Sequence, residues 1–460
     1  MNSKSMQTWV VVVGLAASLS PVAGAEKPAV SSSVPAPPGL PPRIVTFLMA
    51  KERQARAVAR RSHLEWTQEV ADLFAAATNG DCALASDLLG VMHSVSDKTT
   101  APLRPIMIEV DLALDLFCGE DARFMLALGD ALVKSIPPGG IYFGGTDPGR
   151  GLATALCASH EKADPFFTLT QNALADGSYL DYLREMYGDR IYTPTAADSQ
   201  RAFDEYLSDA RRRLQHDRDF PNEPRQVKPG EDIRLVDGKT QANGQVAVMS
   251  INGLLAKVIF DRNKDRAFFI EESFPLDWMY PHLSPHGLIM KLNRRPIETL
   301  PADALAKDRQ EWTDRLRPLL GGWLDPETPL AEVCDFAERT YLQKDLTGFT
   351  GDPKFVGALP ARNFCSKLRS SLGGLYAWRA TNTKKPEERD RMQKEADFAF
   401  RQAFALCPAC PEAIFRYVNL LMAQGRVEDA RQLAETALKV DSANRQLVNL
   451  LNQLDRMGKR

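Results

Sequence analysis

Between residues 144 and 172 the chain gathers side chains suited to holding an anion or a sugar hydroxyl. They are Gly144, Gly145, Asp147 and Arg150, then Asp164, then Thr170, Gln171 and Asn172. The first four belong to the run Gly144-Gly145-Thr146-Asp147-Pro148-Gly149-Arg150-Gly151, which follows a strand-like segment and precedes a helical one. Consecutive backbone N–H groups at such a helix start form an anion nest, to which Arg150 adds charge; Asp147 could hold a hydroxyl or a cation. No Gly-Lys-Ser/Thr follows and the spacing is not Gly-x-Gly-x-x-Gly, so neither nucleotide-binding loop is present. The competing account is a turn dense in glycine because its backbone needs positive φ. Asp164-Pro165 precedes the next strand-like run and Thr170–Asn172 ends it. Ends of neighbouring strands in an α/β unit converge, so these groups are expected to share one crevice with Asp147; local capping is the alternative.

Other constellations are weaker. Glu271 and Glu272 could do acid–base work with Asp277, but adjacent residues on a strand point to opposite faces. His282 and His286 have the spacing of a helical metal pair, yet Ser284-Pro285 between them argues against helix. Cys407-Pro408-Ala409-Cys410 is a C-x-x-C at a turn, read either as a local disulfide or as two buried packing thiols. Ser–His–Asp and Gly-x-Ser-x-Gly patterns are absent from the sequence. No catalytic residue, metal ligand or cofactor is assigned, and the balance leans away from an enzyme.

The elements that must position these residues follow from composition and periodicity. At 460 residues, two or three domains are expected. A net charge of -2, from 57 basic and 59 acidic residues, gives no reason to expect nucleic acid as a partner. The basic runs Lys51–Arg61 and Arg211–Arg213 read as solvated helix faces. Residues 1–25 combine Lys4, an apolar run from Trp9 to Leu19 and Ala23-Gly24-Ala25, the pattern of a secretory signal peptide. The apolar run is short for a span of ~20 residues, so a retained anchor is the lesser alternative. The remainder is expected to be exported, periplasmic or extracellular. Residues 26–42, with Ser31–Ser33 and prolines at 35, 37, 38, 41 and 42, read as a disordered or polyproline-like leader.

A helical region is expected over 43–136, with Asn79-Gly80-Asp81 as a helix boundary capped by the aspartate. Over 137–300 strand-like runs (Ile141–Phe143, Phe166–Leu169, Ala267–Ile270, Leu288–Met290) alternate with helices, which predicts a small mixed-sheet α/β module. Residues 218–244 read as a polar loop with turns at Pro229-Gly230 and Asp237-Gly238. From 301 to 460 the chain reads as helical. The fold class is therefore α+β or α/β, a sheet module between two helical layers.

The last helices carry a repeat, best defined over 365–460. Ala430, Ala434 and Ala437 stand 34 positions after Ala396, Phe400 and Ala403, and Pro408 follows the first set. This is the second-helix pattern of a tetratricopeptide unit, and Leu372-Gly373-x-x-Tyr376 is its first-helix pattern. Small residues there let paired helices cross closely. Tyr376 and Ala396 are 20 positions apart, against about 9 in a standard unit, so an insertion is expected over Asn382–Asp390. Two units and a final helix are too few for a solenoid, which needs ~3 repeats, so they are expected to pack on the helices of 302–344.

With these residues in view, 139–296 resembles the soluble, extracytoplasmic part of a multispan membrane family of unknown function, related to protein O-mannosyltransferases. Some of its members end in tetratricopeptide repeats. The likeness rests on Gly145-x-Asp147, Asp164-Pro165-Phe166-Phe167 and Gly287-Leu288-Ile289-x-Lys291-Leu292. The family's membrane half is missing here, so glycosyltransfer does not carry over. What the resemblance implies is a soluble module that touches glycan or a membrane glycosyltransferase, while the repeats hold a protein or peptide. An exported scaffold is the leading expectation; an enzyme acting on glycan or sugar phosphate through 144–172 is the alternative.

Overall fold

The computed structural model describes residues 39–94, 101–118, 122–144, 148–157, 166–236, 239–271 and 276–458. Four helices come first: α1 (Pro42–Arg61), α2 (Gln68–Asn79), α3 (Cys82–Ser94) and α4 (Arg104–Phe117). Then come α5 (Arg123–Ser135), β1 (Ile141–Gly144), α6 (Pro148–Leu156), β2 (Phe167–Thr170), α7 (Gly177–Tyr187) and α8 (Ala196–Asp219). The hairpin β3 (Asp232–Val236) and β4 (Lys239–Asn243) leads to α9 (Gln245–Arg262), β5 (Phe268–Ile270), β6 (Leu283–His286) and β7 (Ile289–Leu292). The rest is helical. It comprises α10 (Ala302–Leu320), α11 (Leu330–Ala337) running into a π-helical turn (Glu338–Leu342), and α12 (Pro353–Gly357). After these come α13 (Leu359–Asn382), α14 (Pro386–Leu406), α15 (Pro411–Ala423), α16 (Val427–Val440) and α17 (Arg445–Gly458).

These elements form two compact units. One joins the described residues up to Ala122 to Thr146–Arg266; the other joins Arg123–Gly145 to Ala267–Arg460. Their limits do not coincide with sequence boundaries at 137 and 301, because β1 pairs with β5, more than a hundred residues later.

In the first, helical unit, local chemistry sets the helix ends. Thr67 caps α2 by accepting from the Val70 N–H, and Gly80 closes it at φ +76°. Asp81 then accepts from the Leu84 N–H at 3.1 Å, the cap expected at that boundary. A Thr195–Asp198 capping box starts α8. The stretch read as a polar loop instead contains the antiparallel β3–β4 hairpin. Its alternating residues put Ile233 and Ala242 against Tyr206, Ala210 and Ala247 of α8 and α9. Asp-Gly between alternating segments is a strong hairpin signal, outweighed in the sequence reading by polar composition.

A disulfide, Cys82–Cys118, joins the start of α3 to the residue after α4 across 36 positions. Replacing both cysteines by serine is expected to cost about 3–4 kcal/mol through the loop entropy returned to the unfolded chain. The check is the urea midpoint with and without the bridge; equal midpoints would contradict it.

The second unit contains the strand order β1-β5-β7-β6. β1 and β5 are parallel, and β5–β7 and β7–β6 antiparallel. This is the expected mixed sheet, with one strand, β6, that the sequence reading did not mark. The β6–β7 connection is Gly287-Leu288, and Gly287 has φ +61°; positive φ at the first turn position alone makes a type II′ turn. Arg379 of α13 donates to the carbonyls of Leu283 and Ile297, fixing the hairpin on the first repeat helix.

The repeat helices form hairpins α13–α14 and α15–α16, closed by α17. Their small residues act as the sequence pattern requires: Ala396, Ala403, Ala430, Ala434 and Ala437 are fully buried. A Cβ on Gly373 would lie 2.8 Å from the Phe400 ring, which itself stacks on Tyr417 at 5.6 Å. There is no inserted loop over Asn382–Asp390. The extra residues lengthen both helices, to 24 and 21 residues, and only 383–385 connect them. Pro386 begins α14 at a position where its missing N–H costs nothing. As expected from the small number of repeats, α10 and α11 pack on α14, and α11 also packs on α16.

Candidate functional site

Of the residues singled out around the glycine-rich loop, Gly145, Asp147 and Asp164 lie outside the described residues, and Gly144 ends β1. Arg150 stands in the first turn of α6, Thr170 ends β2, and Gln171 and Asn172 form the 3-10 turn that follows. Arg150 and Thr170 meet through a buried network. Arg150 is 4% exposed and pairs with Glu109 at 3.1 Å, with its guanidinium 5.5 Å from the centre of the Tyr179 ring. The Tyr179 hydroxyl accepts from the Thr170 N–H at 2.7 Å. Glu109 also binds Lys51 at 2.5 Å and accepts from the Tyr182 hydroxyl at 2.8 Å. Burial, and next the Glu109 charge, hold the Tyr182 phenol well above its ordinary pKa. Burial alone would lower the Arg150 pKa, but Tyr179 and Glu109 more than offset it.

This network corrects the reading of Lys51 as part of a solvated face: Lys51 is 1% exposed. The signal was in the sequence. Lys51 follows Ile44, Phe47 and Leu48 at helical spacing, and Glu109 lies between Ile106 and Ala113 on the apolar face of α4. A charged residue inside each of two apolar stripes marks a buried pair. Arg213 corrects the second basic run in the same way, being buried against Glu231. Closed as it is, the Lys51–Glu109–Arg150 network is suited to holding α1, α4, α6 and α7 together. Gln171 is fully buried with no partner for either amide atom, and the Asn172 carbonyl accepts from Asn252.

The histidine and cysteine candidates have structural partners. Glu271 is buried, Glu272 lies outside the described residues, and Asp277 is exposed. His282 and His286 stand on a 3-10 turn and a strand, each ring bonding a carbonyl, of Asn293 and Ser135 respectively, at 2.8 Å. Among the described residues no group of three or more His, Cys, Asp or Glu is placed to hold a metal ion. Cys407 and Cys410 are free thiols, not a disulfide. They pack with Ala403 and Ala413 in the turn between α14 and α15, and burial raises both thiol pKa values.

A different surface has binding character. Along α13, Gly374, Ala377, Trp378 and Thr381 remain accessible, and along α15 Glu412, Arg416, Asn419 and Met422 do so. Each set keeps to one helix face, and the two faces meet where a Cβ on Gly374 would lie 3.4 Å from Arg416 Nη1. The Tyr280 ring stacks on Trp378 at 5.1 Å and 15°. Burial raises the Tyr280 pKa while the nearby Arg416 charge works against the shift. Trp378, Arg416 and Met422 on the first helices of adjacent hairpins, with Tyr280 added from the 3-10 turn before β6, make the composition of an interface anchor.

Residues 394–454 match the family model for the tetratricopeptide repeat. The match begins inside α14, the second helix of the lengthened hairpin, and leaves α13 outside it. It does not reach 139–296, so the resemblance of that region to a family related to O-mannosyltransferases has no support. No curated protein and no solved structure matches the chain. Tetratricopeptide repeats commonly mediate protein–protein interaction, and the C-terminal part of this chain is an array of that kind.

Proposed function

We propose that this chain is an exported scaffold that holds a protein or peptide partner on the open face of α13 and α15. The observation that carries the reading is the Tyr280–Trp378 stack near Arg416, which shares one face of α15, inside the matched repeat segment, with Asn419 and Met422. Rigid aromatic rings lose little entropy on binding, and arginine and methionine adapt to peptide surfaces. Export is supported by the signal-like residues 1–25 and by Cys82–Cys118, since disulfides persist chiefly in oxidising compartments. No helix of the described residues is long and apolar enough to cross a membrane. Arg150 is closed inside an ionic network and Gln171 is fully buried, which favours the scaffold over an enzyme working through these two side chains.

The test compares the full chain with the Trp378→Ala, Arg416→Glu variant, each used as bait in an envelope extract after mild crosslinking and read by mass spectrometry. The wild-type chain is expected to enrich a protein that the variant recovers at least tenfold less. Equal recovery by both baits, or no enrichment above a blank support, would remove the reading.

A further inference from the structure

Among the described residues β3 and β4 form a two-stranded sheet of their own in the first unit, so each strand keeps one open edge. Val236 stands opposite Lys239 across a connection of two residues, so that pair exchanges both of its hydrogen bonds. Pairs of this kind alternate along the ladder, so Arg234 and Asp232 also turn their backbone groups to β4. Ile233 and Leu235 turn theirs outward, and neither N–H has an acceptor among the described residues. The side chains divide into two faces. Ile233 packs on Tyr206, Ala210 and Ala247, and Leu235, on the same face, is 41% exposed. Asp232 and Arg234 lie on the other face and bond each other at 2.9 Å. A lysine-rich edge repels a second copy of itself; this edge carries both signs, two residues apart.

We propose that the open edge of β3 pairs antiparallel with β3 of a second copy of this chain, joining two hairpins into one four-stranded sheet about a two-fold axis. Charge selects the register. Centring the axis on Ile233 sets each Asp232 opposite Arg234 of the other copy, whereas centring it on Asp232 or Arg234 sets like charges face to face. In the register centred on Ile233, that residue exchanges two hydrogen bonds with Ile233 of the second copy, and the Leu235 N–H meets the Glu231 carbonyl of the second copy. The Glu231 N–H needs no acceptor, because it already donates to the Lys228 carbonyl at 3.1 Å. Both outward N–H groups are thereby answered, and Ile233 and Leu235 of the two copies form one apolar row that covers the exposed Leu235. The edge belongs to the first unit, so pairing there does not rest on the repeat face.

Sedimentation equilibrium of the full chain over a range of concentrations reads the association, and a reversible monomer–dimer equilibrium is expected. Arg234→Asp changes an exposed side chain and should weaken the dimer roughly tenfold by setting aspartates against each other twice. The exchange variant Asp232→Arg, Arg234→Asp should restore it, because opposite charges meet again in the same register. A chain that stays monomeric at every concentration, including one that captures a different protein through this edge, would overturn the proposal. So would a dimer that Arg234→Asp leaves unchanged or that the exchange variant fails to restore.

Discussion

Glu109→Gln is expected to destabilise the helical unit by about 3–5 kcal/mol, the usual cost of removing one partner from a buried ion pair. Glu109 is 4% exposed and binds Lys51, Arg150 and Tyr182. The glutamine keeps the shape but leaves two buried cations without the carboxylate, and its NH2 group meets donors where acceptors are needed. In a unit of this size the loss corresponds to a melting temperature lower by roughly 10 °C. Adding Lys51→Met should recover part of it, because one stranded charge is then replaced by an apolar chain of similar length. Circular dichroism across a urea gradient reads both. A single-variant loss under about 1 kcal/mol would show that the network is not a determinant of stability.

Arg369→Met is expected to cost a comparable amount, about 3–5 kcal/mol, in the other unit. Arg369 is fully buried, donates to Asp308 and to Gln402 at 2.7 Å each, and lies over the Trp312 ring at 5.1 Å. Methionine preserves most of the packed volume, so the loss reports the stranded Asp308 charge and the unanswered Gln402 oxygen rather than a cavity. The double variant Arg369→Met, Asp308→Asn removes both charges and should be closer to wild type than Arg369→Met alone. Circular dichroism across a urea gradient would follow the transition. If the single and double variants unfold together, the pair is not what holds α10 to α13.

The two networks show where sequence reading reached its limit. Lys51 and Glu109 each interrupt an apolar stripe, a visible anomaly, yet nothing local says that they interrupt it for one another, 58 positions apart. Arg369 lies just before the Leu-Gly-x-x-Tyr pattern that identified the repeat, and its partners come from α10 and α14. The composition of the glycine-rich run suits an anion nest. The structure instead places its arginine inside a packed ionic network. Nothing in the local sequence marks the π-helical turn after α11; the Tyr341 hydroxyl there donates to the carbonyl of Ala405 in α14.

What the sequence determined by itself was set by short-range rules. Periodicity placed most helices and three of the four mixed-sheet strands of the second unit. Asp81 and Gly80 set a helix boundary, and small residues 34 positions apart revealed hairpins that must cross closely. Each depends on residues within a turn or two of one another, or on a fixed spacing that the chain repeats. Tertiary structure alone decided which buried charges pair with one another, which cysteines join, that the extra residues in the first repeat become helix rather than loop, and which face of the repeats stays open. Those outcomes depend on what arrives from distant parts of the chain. Desolvation penalises a charge only once neighbours cover it, and a disulfide needs two thiols brought together by packing that neither local sequence encodes.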